Sequence, residues 1–257
     1  MEEIKVRWKK AALENCPGVP CIVTPPPPPP PSFTCGSSTI TDIDNNIYST
    51  VSIGAQCWTT TNLKVTKYND GTLIGDSTAS TSNPWAPASG ARTEYVAAGV
   101  TGYVGTFGYL YNWYAVTDSR KLCPGGWHVP TDAEWTIMIQ QLDNMASATA
   151  VGTQSATAGT VLKSAVTNSS AGSGLGWNPV SPPSPGTNTS GFSGLPGGFR
   201  SLNGSFNDIR DFAFFWSATE HDSNNAWYRI LYYNYGSVNR SINKGKSFGA
   251  SVRCLMD

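Results

Sequence analysis

Charge is what this sequence has least of. Asp, Glu, Lys and Arg make up 13% of its 257 residues, about half the roughly 25% of an average soluble protein. Basic and acidic residues number 17 each, so the formal net charge is zero. A nucleic-acid-binding domain draws much of its affinity from neutralising phosphates and shows a basic excess or stripe. Neither is present, which argues against that class. Histidine is nearly missing, with only His128 and His221, and no Cys-x-x-Cys occurs, so a structural zinc site has little support. No apolar run approaches the ~20 residues of a membrane span. The opening segment is charged at Glu2, Glu3, Lys5, Arg7, Lys9 and Lys10, and no continuous apolar stretch follows. A secretory leader is therefore not expected.

What the chain has in quantity is aromatic and small residues. Aromatics reach 11%, nine of them Trp, beside 26 Gly and 18 Pro. Such a composition suits a loop-rich, strand-rich fold with a polar but uncharged surface. Antibody paratopes combine the same ingredients: Tyr and Trp give rigid contact area, while Ser, Gly and Asn give adaptable hydrogen bonds. The six cysteines, Cys16, Cys21, Cys35, Cys57, Cys123 and Cys254, admit many pairings. The missing leader argues against disulfides.

Along the chain, Ile4, Trp8, Ala11 and Ala12 recur at helical spacing, so residues 1–15 read as a short amphipathic helix. An unbroken proline run at 25–31 holds polyproline II at ~3.1 Å per residue, a semi-rigid spacer of roughly 20 Å. The organisation is therefore an attachment segment at 1–24, a linker at 25–32 and a body at 33–257. In the body, Thr39–Ile43 and Ile47–Val51 flank Asp44-Asn45-Asn46, a hairpin signal. Asp42, Asp44 and Asn46 resemble half of a calcium loop. The Gly and Glu that an EF-hand needs at its sixth and twelfth positions are replaced by Ile47 and Ile53. Residues 66–106 read as long loops. Thr131–Leu142 is the clearest helix, with Thr131 as N-cap, Glu134 as its capping-box partner and Trp135, Ile137, Met138 and Leu142 as its apolar face. A second helix is expected over about 156–166, and strands over Phe212–Ser217, Ala226–Tyr233 and Gly249–Cys254.

Several motifs are long and aromatic-rich. They are Gly54-Ala55-Gln56-Cys57-Trp58 with Asn62-Leu63, then Tyr109-Leu110-Tyr111-Asn112-Trp113-Tyr114-Ala115 and Leu122-Cys123-Pro124-Gly125-Gly126-Trp127-His128-Val129-Pro130-Thr131. Further on come Phe192-Ser193-Gly194-Leu195-Pro196-Gly197-Gly198-Phe199-Arg200, Phe215-Trp216-Ser217-Ala218-Thr219-Glu220 and Ser251-Val252-Arg253-Cys254. In this order they resemble the Fibrobacter succinogenes major paralogous domain family, over roughly residues 33–257. The resemblance implies an α+β, C-type-lectin-like fold of the formylglycine-generating-enzyme-like branch, loop-rich, with short antiparallel strands and about two helices. It also implies kinship with retroelement-diversified proteins. Cys123 and Cys254 fall in family motifs and are expected to pair, and Cys35 with Cys57 is expected to staple the hairpin.

The resemblance does not carry an activity with it. Formylglycine-generating enzymes use reactive cysteines close together near the C-terminus, where this chain has only Cys254. Neither Gly-x-Ser-x-Gly nor His-Glu-x-x-His occurs, nor do the calcium-dependent sugar-binding tripeptides of C-type lectins. His128, at a helix entrance, reads as a buried, hydrogen-bonded histidine, since spacing places no carboxylate, Ser or Cys to work with it. No catalytic residue, cofactor or metal is expected.

Residues 221–248 carry the functional expectation. Period-two alternation separates Trp227, Arg229, Leu231 and Tyr233 from Tyr228, Ile230, Tyr232 and Asn234. The first set is expected to serve the core and the second to face outward. With His221, Asp222, Tyr235, Ser237, Asn239, Ser241, Asn243, Lys246 and Phe248, that outward set forms the expected ligand-binding surface. Tyr228, Tyr232 and Tyr235 are its expected anchors, and Asn234, Asn239 and Asn243 its hydrogen bonders. Fixed Trp, Leu and Arg among scattered Asn, Tyr and Ser resemble the product of adenine-directed mutagenesis in retroelement-diversified proteins. The expected function is a non-enzymatic receptor-binding module, a phage tail-tip or fibre adhesin docked to the virion through residues 1–24. Its expected partner is a host cell-surface protein or glycan, it is expected to be homo-oligomeric, and its setting is the virion or an extracellular surface. A bacterial cell-surface adhesin and a structural decoration protein are the alternatives.

Overall fold

A computed structural model describes residues 32–77, 89–96, 103–165, 176–179 and 186–257. Contacts divide the chain into two units, Met1–Phe33 and Thr34–Asp257, and every element named below belongs to the second. The helix expected over 1–15 and the proline run lie outside the described residues.

The fold is α+β, with most of its regular structure in strands. A five-stranded sheet has the order β1-β2-β3-β14-β7, built from Thr39–Thr41, Ile47–Ile53, Gln56–Thr59, Leu255–Met256 and Trp127–His128. A six-stranded sheet has the order β10-β9-β11-β12-β13-β8, from Phe206–Ile209, Gly197–Arg200, Phe212–Glu220, Ala226–Tyr232, Val238–Ser241 and Gly152–Ser155. A small sheet, β4-β5-β6, joins Gly75–Asp76, Ala91–Thr93 and Leu110–Tyr111. Four helices occur among the described residues: α1 (Tyr103–Phe107), α2 (Trp113–Val116), α3 (Asp132–Leu142) and α4 (Ala158–Leu162). The stretch read as loop at 66–106 thus contributes two short strands and the start of α1.

Local chemistry accounts for the elements that were foreseen. The β1–β2 hairpin pairs Thr39 with Ser49 and Thr41 with Ile47, and Asn45 takes the positive φ of its turn. Helix α3 begins with a complete capping box between Thr131 and Glu134. Trp135, Met138 and Ile139 form its buried stripe. Ile137, expected on that face, is 56% exposed, because it lies on the opposite side of the turn from the 135/138/139 stripe. The helix expected at 156–166 is the five-residue α4.

Gly249–Cys254 is not a strand. Gly249 bridges to Arg200, Ala250 to Tyr111 and Ser251 to Phe215, before Leu255 pairs with both Trp58 and His128. This segment therefore stitches the three sheets together. Arg253 within it is fully buried and donates to Asn62 Oδ1 (2.7 Å) and to the carbonyls of Thr59 (2.8 Å), Phe192 (2.7 Å) and Ser193 (2.9 Å). Burial pushes its guanidinium down to about 9.

Two aromatic cores flank the long sheet. One gathers Trp58, Trp135, Phe192, Phe215 and Leu231 beneath α3. The other gathers Tyr111, Trp113, Phe199, Phe214, Trp216, Tyr228 and Phe248 on the opposite face. Disulfides join Cys35 to Cys57 and Cys123 to Cys254, both expected pairings. The expectation against disulfides does not hold for these four residues.

Candidate ligand-binding face

Strand β12 carries the centre of the expected surface, and it is an interior strand with β11 on one side and β13 on the other. Pairing with β11 sets Phe212 against Tyr232, Phe214 against Ile230 and Trp216 against Tyr228. These side chains share one face, where cross-strand aromatic pairs stabilise an antiparallel ladder. That face was expected to look outward along its length, and over most of it the structure shows the reverse. Tyr228 has 0% exposure and Phe248 has 1%, while Ile230, Ser241 and Lys246 are also buried. The physical reason is Phe248. The loop after β13 folds its ring against Phe199, Phe214, Trp216 and Tyr228, closing a second core over the sheet. Tyr228 keeps its hydroxyl bonded to Asn243, and burial raises its phenol to about 12.

The opposite face of β12 is anchored by charge. Arg229 donates through Nη1 to Asp132 Oδ1 (2.6 Å) and through Nη2 to Thr136 Oγ1 (3.0 Å). Arg240 of β13 donates to the same carboxylate through Nε (3.0 Å) and Nη2 (2.8 Å). Burial alone would raise the Asp132 carboxyl, but the two guanidiniums outweigh it and hold it below the ordinary value. Sequence spacing gave no sign of this cluster, whose members lie about a hundred residues apart.

The exposed residues of 221–248 collect at the two ends of β12, roughly 20 Å apart at ~3.4 Å per residue. At the first end, His221, Asp222 and Asn243 are exposed. Asp222 accepts from the backbone and side chain of Asn225 and from His221 Nδ1 (2.9 Å). Those bonds, led by that from the Asn225 amide, lower its carboxyl. His221 meets the edge of the Trp227 ring, and the Arg240 guanidinium lies 3.4 Å over that ring. Lys246 is drawn inward to Glu220 (2.5 Å) and the Ser223 carbonyl, above the Trp113 ring.

At the second end, Tyr232 is half-buried between Phe212 and Tyr235, with ring centroids 5.0 and 6.0 Å away. Its hydroxyl accepts from Asn239 Nδ2 (2.7 Å). Tyr235 is 59% exposed, and Asn234 and Ser237 are half-buried in the same turn. Neighbouring strands add half-buried Asn207 and Phe212, while Lys244 places its ammonium 4.6 Å over the Phe199 ring. The expected list omitted these three. Strand register brings Asn207 and Phe212 to this face and the loop after β13 brings Lys244; only the spacing of Phe212 with Phe214 carried any local hint. The aromatic and amide groups left accessible at this end therefore include Phe212, Tyr232, Tyr235, Asn207, Asn234 and Asn239.

His128 is half-buried and not enclosed. Its Nδ1 lies 2.6 Å from Asp257 Oδ1 and its Nε2 lies 3.0 Å from Glu134 Oε1, so two carboxylates that spacing did not reveal occupy both ring nitrogens. A pocket of about 150 Å³ beside it is walled mainly by Val116, Leu122, Trp127, Val129 and Ala218. In the β1–β2 turn, Asp42 accepts from Asn46 and from the Tyr48 hydroxyl (2.6 Å). Asp44 accepts from Thr66 and pairs with Lys67 (3.0 Å). Internal donors thus engage both carboxylates of the suggested half calcium loop.

The sequence model of the Fibrobacter succinogenes major domain matches residues 51–256. The chain belongs to this family. Comparison with curated proteins and with solved structures finds no match. Within the Fibrobacter succinogenes major domain, the matched segment takes in nearly all of both cores, the Arg253 hub and the whole of β12.

Proposed function

We propose that this Fibrobacter succinogenes major domain is a non-enzymatic binding module of C-type-lectin-like architecture. Its contact surface is the Phe212–Tyr232–Tyr235–Asn239 end of the six-stranded sheet. The observation that carries the reading is the exposed Tyr235 ring set against Tyr232 on a strand otherwise locked in the core. Aromatic rings with few rotatable bonds, held by a rigid sheet and edged by amides, suit recognition of a protein or glycan on another cell.

Of the carriers expected from the sequence, two disulfides favour an exported cell-surface adhesin over a virion protein assembled in a reducing cytoplasm. Mass mapping of non-reduced peptides from the native source tests that preference. Reduced thiols at Cys123 and Cys254 would return the weight to the phage reading. The binding face is tested by labelling the protein and measuring its capture on a glycan array and on a panel of intact bacterial cells. Y232A/Y235A should lose at least tenfold in capture with an unchanged melting temperature. Equal capture would refute the assignment of the face.

A further inference from the structure

Lys163 caps the C-terminus of helix α4 and is fully buried. Its ammonium donates to the carbonyl oxygens of Tyr232 and Tyr235, each at 2.9 Å, and reaches that of Tyr233 at 3.5 Å. The Trp177 ring lies 5.4 Å away. Carbonyls from one four-residue stretch thus converge on a single cation. Helix α4 also presses on the same turn. The Thr160 N–H donates to the Gly236 carbonyl (3.2 Å), and Gly159 leaves no room for a Cβ against the carbonyls of Gly236 and Ser237. A charged donor makes stronger hydrogen bonds than a neutral one, and a neutral amine has fewer N–H groups to offer.

We propose that Lys163 is the positioning residue of the binding face: its ammonium gathers the 232–235 turn and so sets the geometry of the Tyr232–Tyr235 pair. The proposal rests on the reading of that pair as a contact surface. It carries a pH signature, because burial pushes the Lys163 ammonium down to about 8. Among the described residues, the titratable groups on the segments it touches are the phenols of Tyr232, Tyr233 and Tyr235 and the carboxyl of Asp211. That carboxylate accepts from Asn178 (2.8 Å), and the Asp211 backbone carbonyl takes the Tyr233 N–H (2.8 Å). The sign of the global effect is opposite to the local one. A lysine whose folded-state value lies below its unfolded value of ~10.4 favours folding as pH rises through that window. The local effect runs the other way because Lys163 stays buried beneath the turn when 232–235 lifts: losing its carbonyl partners without gaining water lowers its proton affinity below the closed-state value, so deprotonation favours the loosened turn.

Native-state hydrogen exchange of the Tyr233 amide reads this directly, with the Trp58 amide of the five-stranded sheet as internal control. In the wild type the Tyr233 protection factor should fall about tenfold between pH 6.5 and 9 while that of Trp58 holds. K163M should show the low value throughout, and K163R, which stays charged, a flat profile. A flat wild-type profile, or K163M protection within twofold of wild type at pH 6.5, would overturn the proposal. If neither variant folds, the wild-type profile against Trp58 still decides. A loosened turn with undiminished cell or glycan capture would fault the binding face and leave the role of Lys163 standing. An unmoved turn would do the reverse.

Discussion

Removing the Cys123–Cys254 disulfide should cost more than removing Cys35–Cys57, because of the length of chain each one closes. The two bridges span 131 and 22 residues. In the loop-entropy account, closing the longer one lowers the entropy of the unfolded chain enough to contribute about 5 kcal/mol, and the shorter about 3.5 kcal/mol. The loops do not overlap, so their effects should add to first order. The long loop contains α3, α4 and the entire six-stranded sheet, so it constrains the part of the chain that carries residues 221–248. The comparison needs C123A/C254A and C35A/C57A, each followed by urea unfolding with tryptophan fluorescence. With a slope of roughly 2.5 kcal/mol per molar urea, the midpoint should fall by roughly 2 M for the first variant and roughly 1.4 M for the second. Each variant removes two sulfur atoms, and only Cys35 is less than fully buried, so packing losses are similar. Equal shifts, or a larger shift for C35A/C57A, would show that loop length does not govern the stabilisation and would refute the reasoning. With both bridges reduced, the combined loss of about 8.5 kcal/mol is comparable to the whole stability of a typical domain, so unfolding in reductant is expected.

Other outcomes follow from single contacts. D132A leaves the Arg229 guanidinium buried without its carboxylate and should cost about 3–5 kcal/mol in denaturant unfolding, much of it recovered in D132A/R229M. The carboxyls of Asp132, Asp118 and Glu134 are held below their ordinary values. Their stabilisation is therefore complete above the unfolded-state values near pH 4 and lost as pH falls through the folded-state values; calorimetric melting from pH 7 to 2 should show the drop. Y228A should cost about 3–5 kcal/mol, as truncation of a buried aromatic does, whereas Y235A should change stability by less than about 0.5 kcal/mol. T131A removes the α3 cap and should cost about 1 kcal/mol.

Legibility followed the range of the interaction. The capping box at Thr131 and Glu134 and the Asn45 turn rest on neighbours within a few residues, and their residue types announced them. The ordered aromatic motifs were enough to name the family, because they recur as fixed strings along the chain. Ile137 was misplaced for want of a helical phase, and Gly249–Cys254 for want of a partner strand. Alternation in β12 was real, yet alternation separates two faces without saying what covers either one.

The sequence by itself determined the α+β character, the start of α3, the family and the concentration of Tyr and Asn after residue 220. Tertiary structure alone decided which of those tyrosines reach solvent. Tyr228 and Tyr235 are seven residues apart in one polar, aromatic stretch, but Phe248 covers the first and the Lys163-bound turn presents the second. Burial is a property of what packs on top, and here the packing comes from loops and helices distant in the chain, so composition marked the region without locating its surface.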